Sequence, residues 1–345
     1  MYFRSSPAWF KAALVMILLG CLAFIGAKVP GVDHLPLVWA LHAELTGDSA
    51  YGPHLDVLFN ETYSTICPPC ATGGFAYPLP AIWLALPVAW LPANLTGVVW
   101  CIMSTGILLC GLTLLRMPPQ MALFAPVWFG ILQQQSTVLV VGLLLLGIWA
   151  AREQRWWLLG VIIALTGLTK PQTSILFACL FAIQLIQHRR WLPLLLPSAA
   201  LLVSTSAIEP AWPLEWIKAA QRYNQALEPR WFIQWTALAL LPLICRRRWT
   251  TLTIVQTCLF PVVANGYTLL PLLVAYVDIE RRWLTWIVVI ASWTLLISRS
   301  LVSNSALLAW GYFLPFTVVM MIELLTLRHK QFSKPSPVAD VSLHA

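Results

Sequence analysis

Apolar runs recur along the whole chain, most of them long enough to enter a bilayer and closed by a short polar or basic turn. A spanning helix takes roughly 20 apolar residues, fewer where it is broken. On that ruler the pattern predicts about twelve transmembrane helices: 9–29, 76–93, 95–115, 136–151, 156–169, 172–187, 191–208, 231–245, 249–265, 266–279, 283–298 and 305–327. Residues 119–134, which include Pro126, are left over. They are expected to dip into the membrane and return, or to lie along it, as irregular backbone can only where protein or water surrounds it. The expected fold is all-α: one polytopic membrane domain over residues 1–330, followed by a Ser- and Pro-containing tail, 331–345, expected to be disordered and cytosolic.

Composition strengthens this reading. Of 345 residues, 59% are hydrophobic, well above the roughly 45–50% of soluble domains. The 25 Pro point to kinked or broken helices, which neighbouring helices can tolerate. The first run is expected to be retained as a helix, since Lys28-Val29-Pro30 lacks the small residues of a cleavage site.

Charge then orients the helices, because Lys and Arg accumulate in cytosolic loops. Twelve crossings from a cytosolic N-terminus put Arg4/Lys11, Arg152/Arg155, Arg189/Arg190, Arg246–Arg248, Arg281/Arg282 and Arg328/Lys330/Lys334 inside. Both termini are then cytosolic, and the chain is integral to the cell (plasma) membrane. Two larger loops face outward. Residues 30–75 hold five of the chain's thirteen acidic residues and three of its six histidines, with no Lys or Arg. Leu37, Leu41 and Leu45 recur there at helical spacing. Residues 209–230 carry Trp212, Trp216 and Tyr223 beside Lys218 and Arg222, a cation pair at i, i+4 on one helix face. The cations are spread over loops at the cytosolic leaflet, which gives no sign of nucleic-acid binding.

Several outward residues can carry chemistry. Asp33, followed by His34, stands just past the first helix, and reads either as a solvated loop acid or as a general base for an acceptor hydroxyl. Lys170 closes one apolar run and precedes Pro171-Gln172 and another. It is either a lysine anchoring a helix end or, at headgroup depth, the partner of an anion such as a lipid phosphate. The amides and hydroxyls of Gln133–Thr137 can hold sugar hydroxyls or pair helices. Asn265-Gly266-Tyr267, between Pro261 and Pro271, reads as a broken helix lining a site or as a plain turn. Cys67-Pro68-Pro69-Cys70 lies outside the cytosol, so a local disulfide is the first reading; zinc would need two further ligands. The five loop acids leave room for a divalent ion, although no cofactor is firmly indicated.

Four segments carry a family resemblance. They are Val32-Asp33 with Ala40–Tyr51 (ALHAELTGDSAY), Phe75-Ala76-Tyr77-Pro78-Leu79-Pro80 running to Leu91-Pro92, Gln134-Gln135-Ser136-Thr137 before Val138–Gly147, and Gly160–Gln172 (GVIIALTGLTKPQ). Together they resemble glycosyltransferase family 87, a GT-C family of polyprenyl-phosphate-sugar-dependent mannosyl and arabinofuranosyl transferases. The resemblance implies a membrane glycosyltransferase acting on the extracytoplasmic side. Its partners would be a polyprenyl-phosphate-linked sugar donor, a lipid or glycan acceptor of the cell envelope, and membrane lipids. It gives Asp33 the catalytic-base position and Lys170 the place that meets the lipid phosphate. Tyr77 and Gln135 would line the site, with His34, Asn265, Lys218 and Arg222 as further substrate contacts. Gln134 stands where the family usually has Gly, and Thr137 where it has Asn. The alternative is a multi-spanning transporter or lipid flippase, which would be expected to show repeat symmetry and acids within its helices.

Overall fold

A computed structural model describes residues 8–65, 68–226, 247–259, 269–278 and 283–297, with the isolated positions 318, 321, 322 and 325. Among the described residues every regular element is helical. The order is α1 (Ala8–Lys28), α2 (His34–Thr46), α3 (Pro53–Tyr63), α4 (Pro68–Gly73), a 3₁₀ helix Leu79–Ala85 running into α5 (Leu86–Ala89), then α6 (Ala93–Leu114). A second 3₁₀ helix, Pro119–Leu123, precedes α7 (Ala125–Leu132), α8 (Ser136–Arg152), α9 (Trp156–Gly167), α10 (Pro171–Gln187), α11 (Trp191–Ile208) and α12 (Trp212–Ala226). The last are α13 (Arg248–Leu259), α14 (Leu272–Ala275) and α15 (Leu284–Ile297). The expected crossing 231–245, the prediction at Asn265, the tail 331–345 and all but those isolated positions of the expected crossing 305–327 lie outside the described residues.

Two helices, Ala93–Leu114 and Trp191–Ile208, are long and apolar enough to cross a membrane, and shorter apolar helices surround them. Hydrocarbon explains the exclusively helical choice, because a helix satisfies its backbone groups within the segment. Trp191–Ile208 is only 11% buried inside the protein, an apolar surface suited to lipid.

Hydropathy misassigns two segments. Residues 76–93 do not form a spanning helix: they fold as the 3₁₀ helix Leu79–Ala85 and the four-residue α5, interrupted by Pro78, Pro80 and Pro87. This piece packs on α2 and on the C-terminal ends of neighbouring helices, with Trp83 Nε1 donating to Thr205 Oγ1 at 3.1 Å and His42 Nε2 bonded to Ala89 O at 2.9 Å. Residues 119–134, expected to dip into the membrane and return or to lie along it, instead run back along α6. They start beside its C-terminal end, where Met117 N–H donates to Leu112 O, and finish beside its N-terminal end, where Gln134 approaches Gly97. As a result α6 and α8 run parallel, with Leu108 against Gly142 and Gly111 against Leu145. The two departures offset one another in the alternation of the described helices. Arg116 moves to the end that also carries Arg152, Arg155, Arg189 and Arg190.

α1 and α6 meet backbone to backbone at Gly26 and Gly97, where a Cβ on either would fall inside the other's main chain. That contact brings the C-terminal end of α1 against the start of α6, so residues 30–92 lie together at one end of the bundle. There α2, α3 and the 79–89 piece form their own core around Leu37, Leu41, Phe59, Tyr63 and Phe75, capped by Trp212 and Ala219 of α12. The 30–75 and 209–230 loops also bond directly: Ser49 Oγ donates to Glu209 at 3.0 Å, and Trp216 Nε1 to Ala76 O at 3.2 Å.

Candidate active site

Three chain connections meet beneath that cap: α1 to α2, α7 to α8, and α9 to α10. Gln134 organises the first two. Its backbone is left-handed, φ 53°, where a non-glycine residue costs roughly 1–2 kcal/mol. Its side-chain amide donates to Val29 O at 2.7 Å and Ile25 O at 3.2 Å, satisfying carbonyls at the end of α1. The Gly expected here by family resemblance would suit the backbone and forgo those bonds.

Asp33 then falls against the N-terminal end of α8. Its Oδ2 accepts from Ser136 N–H at 3.1 Å and from Ser136 Oγ at 3.0 Å. A carboxylate is favoured there by the free amides and positive pole of the helix. The Gln135 amide, with its nitrogen turned to the acid, donates to Oδ1 at 3.0 Å and also to Oδ2.

Lys170 comes from the opposite kind of helix end. It follows the last turn of α9, with its N–H donating to Thr166 O at 3.2 Å, and a cation suits that negative pole. Its Nζ lies 3.0 Å from Asp33 Oδ2, 2.9 Å from Ser136 Oγ and 3.4 Å from the Tyr77 hydroxyl, and 5.3 Å from the Tyr77 ring centre. Asp33 is 7% and Lys170 6% exposed. The pair is therefore largely withdrawn from water, and each charge relies on the other and on Ser136.

His34 is 2% exposed, stacked on Trp100 with ring centres 5.8 Å apart, and neither ring nitrogen has a partner among the described residues. Burial lowers its pKa to about 4, although Asp33 pulls the other way; the ring is neutral near pH 7. Tyr63 donates to Gly31 O at 2.7 Å, and burial, with a smaller effect from the Asp33 charge, raises the pKa of both its hydroxyl and that of Tyr223.

The predicted residues thus divide. Asp33, Gln135, Lys170 and Tyr77 come together, with His34 adjoining them in sequence. Lys218 and Arg222 are held elsewhere, on Glu215 at 2.8 Å and on Asp56 at 3.2 Å at the exposed rim. Ser136 is the central residue that pattern reading did not single out from its polar run; its place at a helix start after three glutamines was the available signal. Cys67 and the Cys70 side chain lie outside the described residues. Among the described residues no three His, Cys, Asp or Glu side chains gather as metal ligands.

Residues 75–228 match the model of Glycosyltransferase family 87. The match covers less than half of the chain; it is to a glycosyltransferase domain of the GT-C type and supports a sugar-transferase activity. The matched stretch includes Tyr77, Gln135, Ser136 and Lys170; Asp33 precedes it. Comparison with curated proteins found no match, and neither did comparison with solved structures.

Proposed function

We propose that the protein moves a sugar from a polyprenyl-phosphate donor to a lipid or glycan acceptor on the extracytoplasmic side of the membrane, with Asp33 and Lys170 at the reacting centre. The supporting observation is the Asp33–Lys170 contact of 3.0 Å at converging helix ends. In the resting protein the carboxylate is saturated with donors, a poor state for a base. An entering donor phosphate competes for Lys170, and transfer of the ammonium from Asp33 to that phosphate relieves the carboxylate of its ion pair. Asp33 then takes the proton of the acceptor hydroxyl as its oxygen bonds to the anomeric carbon. The bond from that carbon to the phosphate oxygen breaks, and polyprenyl phosphate leaves with its charge matched by Lys170. Gln135 keeps the carboxylate oriented, and Tyr77 flanks the ammonium. The family match favours transfer over the transporter reading.

The test is transfer by purified protein in lipid, supplied with labelled polyprenyl-phospho-sugars and cell-envelope acceptors. Asp33→Asn should lower turnover by at least about 100-fold, the usual contribution of a general base, with expression and fold retained. Lys170→Gln should raise KM for the donor as well as lower kcat. Turnover of Asp33→Asn equal to the parent would remove Asp33 from the mechanism.

A further inference from the structure

The end of the bundle away from Asp33 carries a second built feature. A cavity of ≈ 750 Å³ opens there, lined by Arg155, Arg189 and Arg190 together with Trp156, Trp157 and Trp191 among others. It lies between two turns of the same design. Gln154 (φ 55°) ends α8 and Arg189 (φ 57°) ends α10 in the left-handed conformation. The following Arg155 and Arg190 close each turn by donating their N–H groups to Ala150 O and Leu185 O, both at 2.8 Å. Each turn then enters its next helix on a tryptophan. α9 and α11 cross closely just beyond, with Gly160 against the Pro193 carbonyl, and this contact closes the inner end of the cavity.

The chemistry of the lining is divided. Trp157, Trp191 and Leu192 of the lining are exposed, large and apolar, and beyond the cavity the exposed Leu195 and Leu196 continue this bare side of α11. The three arginines sit at the water side of the same cavity, and none makes an ion pair among the described residues. Glu153 is the only acid in either turn. Tryptophan beside arginine is the pairing expected at headgroup level, with acyl chains below and phosphates above. The helices between the two ends set the separation from Asp33 and Lys170: α9 is about 18 Å long and α10 about 25 Å, at 1.5 Å per residue.

We propose that this cavity is a binding site for an anionic glycerophospholipid of the cytosolic leaflet, its phosphate held by Arg155, Arg189 and Arg190 and an acyl chain lying along Leu192, Leu195 and Leu196. Its volume falls within the ~300–1,000 Å³ of small-molecule sites. The occupant is a resident lipid rather than substrate, since the cavity lies a bilayer leaflet or more from the candidate active site.

The experiment is native mass spectrometry of the full chain released from detergent with phosphatidylglycerol or phosphatidylcholine of matched acyl chains. The parent should retain phosphatidylglycerol much more strongly. The triple variant Arg155→Gln/Arg189→Gln/Arg190→Gln should weaken that retention on the order of 100-fold, since each surface arginine contributes about fivefold towards an anionic headgroup. Arg190→Gln alone, less demanding on folding, should lose about fivefold, and Arg116→Gln, at the same end but outside the cavity, should lose little. Equal retention of the two lipids by the parent, or of phosphatidylglycerol by parent and Arg190→Gln, would overturn the proposal. Thermal protection by inorganic phosphate as strong as by the lipid would also reject it, in favour of a simple anion site. The readout is lipid retention, so it is independent of whether Asp33 is the base.

Discussion

At the scale of single residues, the site is governed by the cost of holding charge away from water. Removing one member of a buried ion pair leaves the other uncompensated, typically at 3–5 kcal/mol. Lys170→Met should therefore lower stability by about 3 kcal/mol in a denaturant titration, and adding Asp33→Asn should recover part of that loss. Simple additivity of the two would show that they do not interact. A second carboxylate contact lies between the 30–75 and 209–230 loops, where burial and then a hydrogen bond with Glu209 raise the pKa of Glu44 to about 8, opposed by the Ala50 N–H. The folded protein keeps this proton where an unfolded chain releases it near 4.5. Its stabilising contribution is complete below that pH and declines as pH rises to about 8. Glu44→Gln should flatten the profile of thermal stability across that window; an unchanged slope would place the proton elsewhere.

At the scale of elements, two glycines and one glutamine set where Asp33 falls. Gly26 and Gly97 let α1 and α6 touch, and Gln134 bonds the end of α1 to the start of α8. Gly97→Leu must separate these helices, a change expected to cost about 1–3 kcal/mol and to carry Asp33 away from Ser136. A matching loss of transfer without loss of expression would check this; full activity would show that the crossing has slack. The residues of the candidate site stood out in the chain: an acid past the first helix, Lys170 directly before Pro171, and a polar run before a leucine-rich helix. The direct ion pair did not. Its members are 137 residues apart, and no local periodicity reports on contacts at that range. The ion pairs of Lys218 and Arg222 escaped the pattern for the same reason, since helical spacing shows that they share a face but cannot show that Glu215 and Asp56 meet them.

At the scale of the whole molecule, the arrangement makes a prediction about sides. Single cysteines in an otherwise cysteine-free chain should react with an external, membrane-impermeant thiol reagent at Asp48→Cys and Asn94→Cys, and not at Gln154→Cys. Labelling of position 48 without labelling of position 94 would restore 76–93 as a crossing. Hydropathy erred there because it measures whether a segment prefers hydrocarbon, not whether its two ends reach opposite faces. A proline-rich apolar run folded over the helix ends and a broken run threaded through them look alike on that scale.

Residue order alone was enough for the helical class, the apolar character of the helices, the acid-rich and basic stretches, and the polar residues that stand apart from the apolar runs. These follow from solvent preference and local geometry, which act over a few neighbouring positions. The close crossing of α1 and α6, the return of 119–134 along α6, the joining of Asp33 to Lys170 and the arginine-lined cavity at the far end emerged only from folding in three dimensions. Each depends on which surfaces of distant segments fit together, a matter of shape and shared burial.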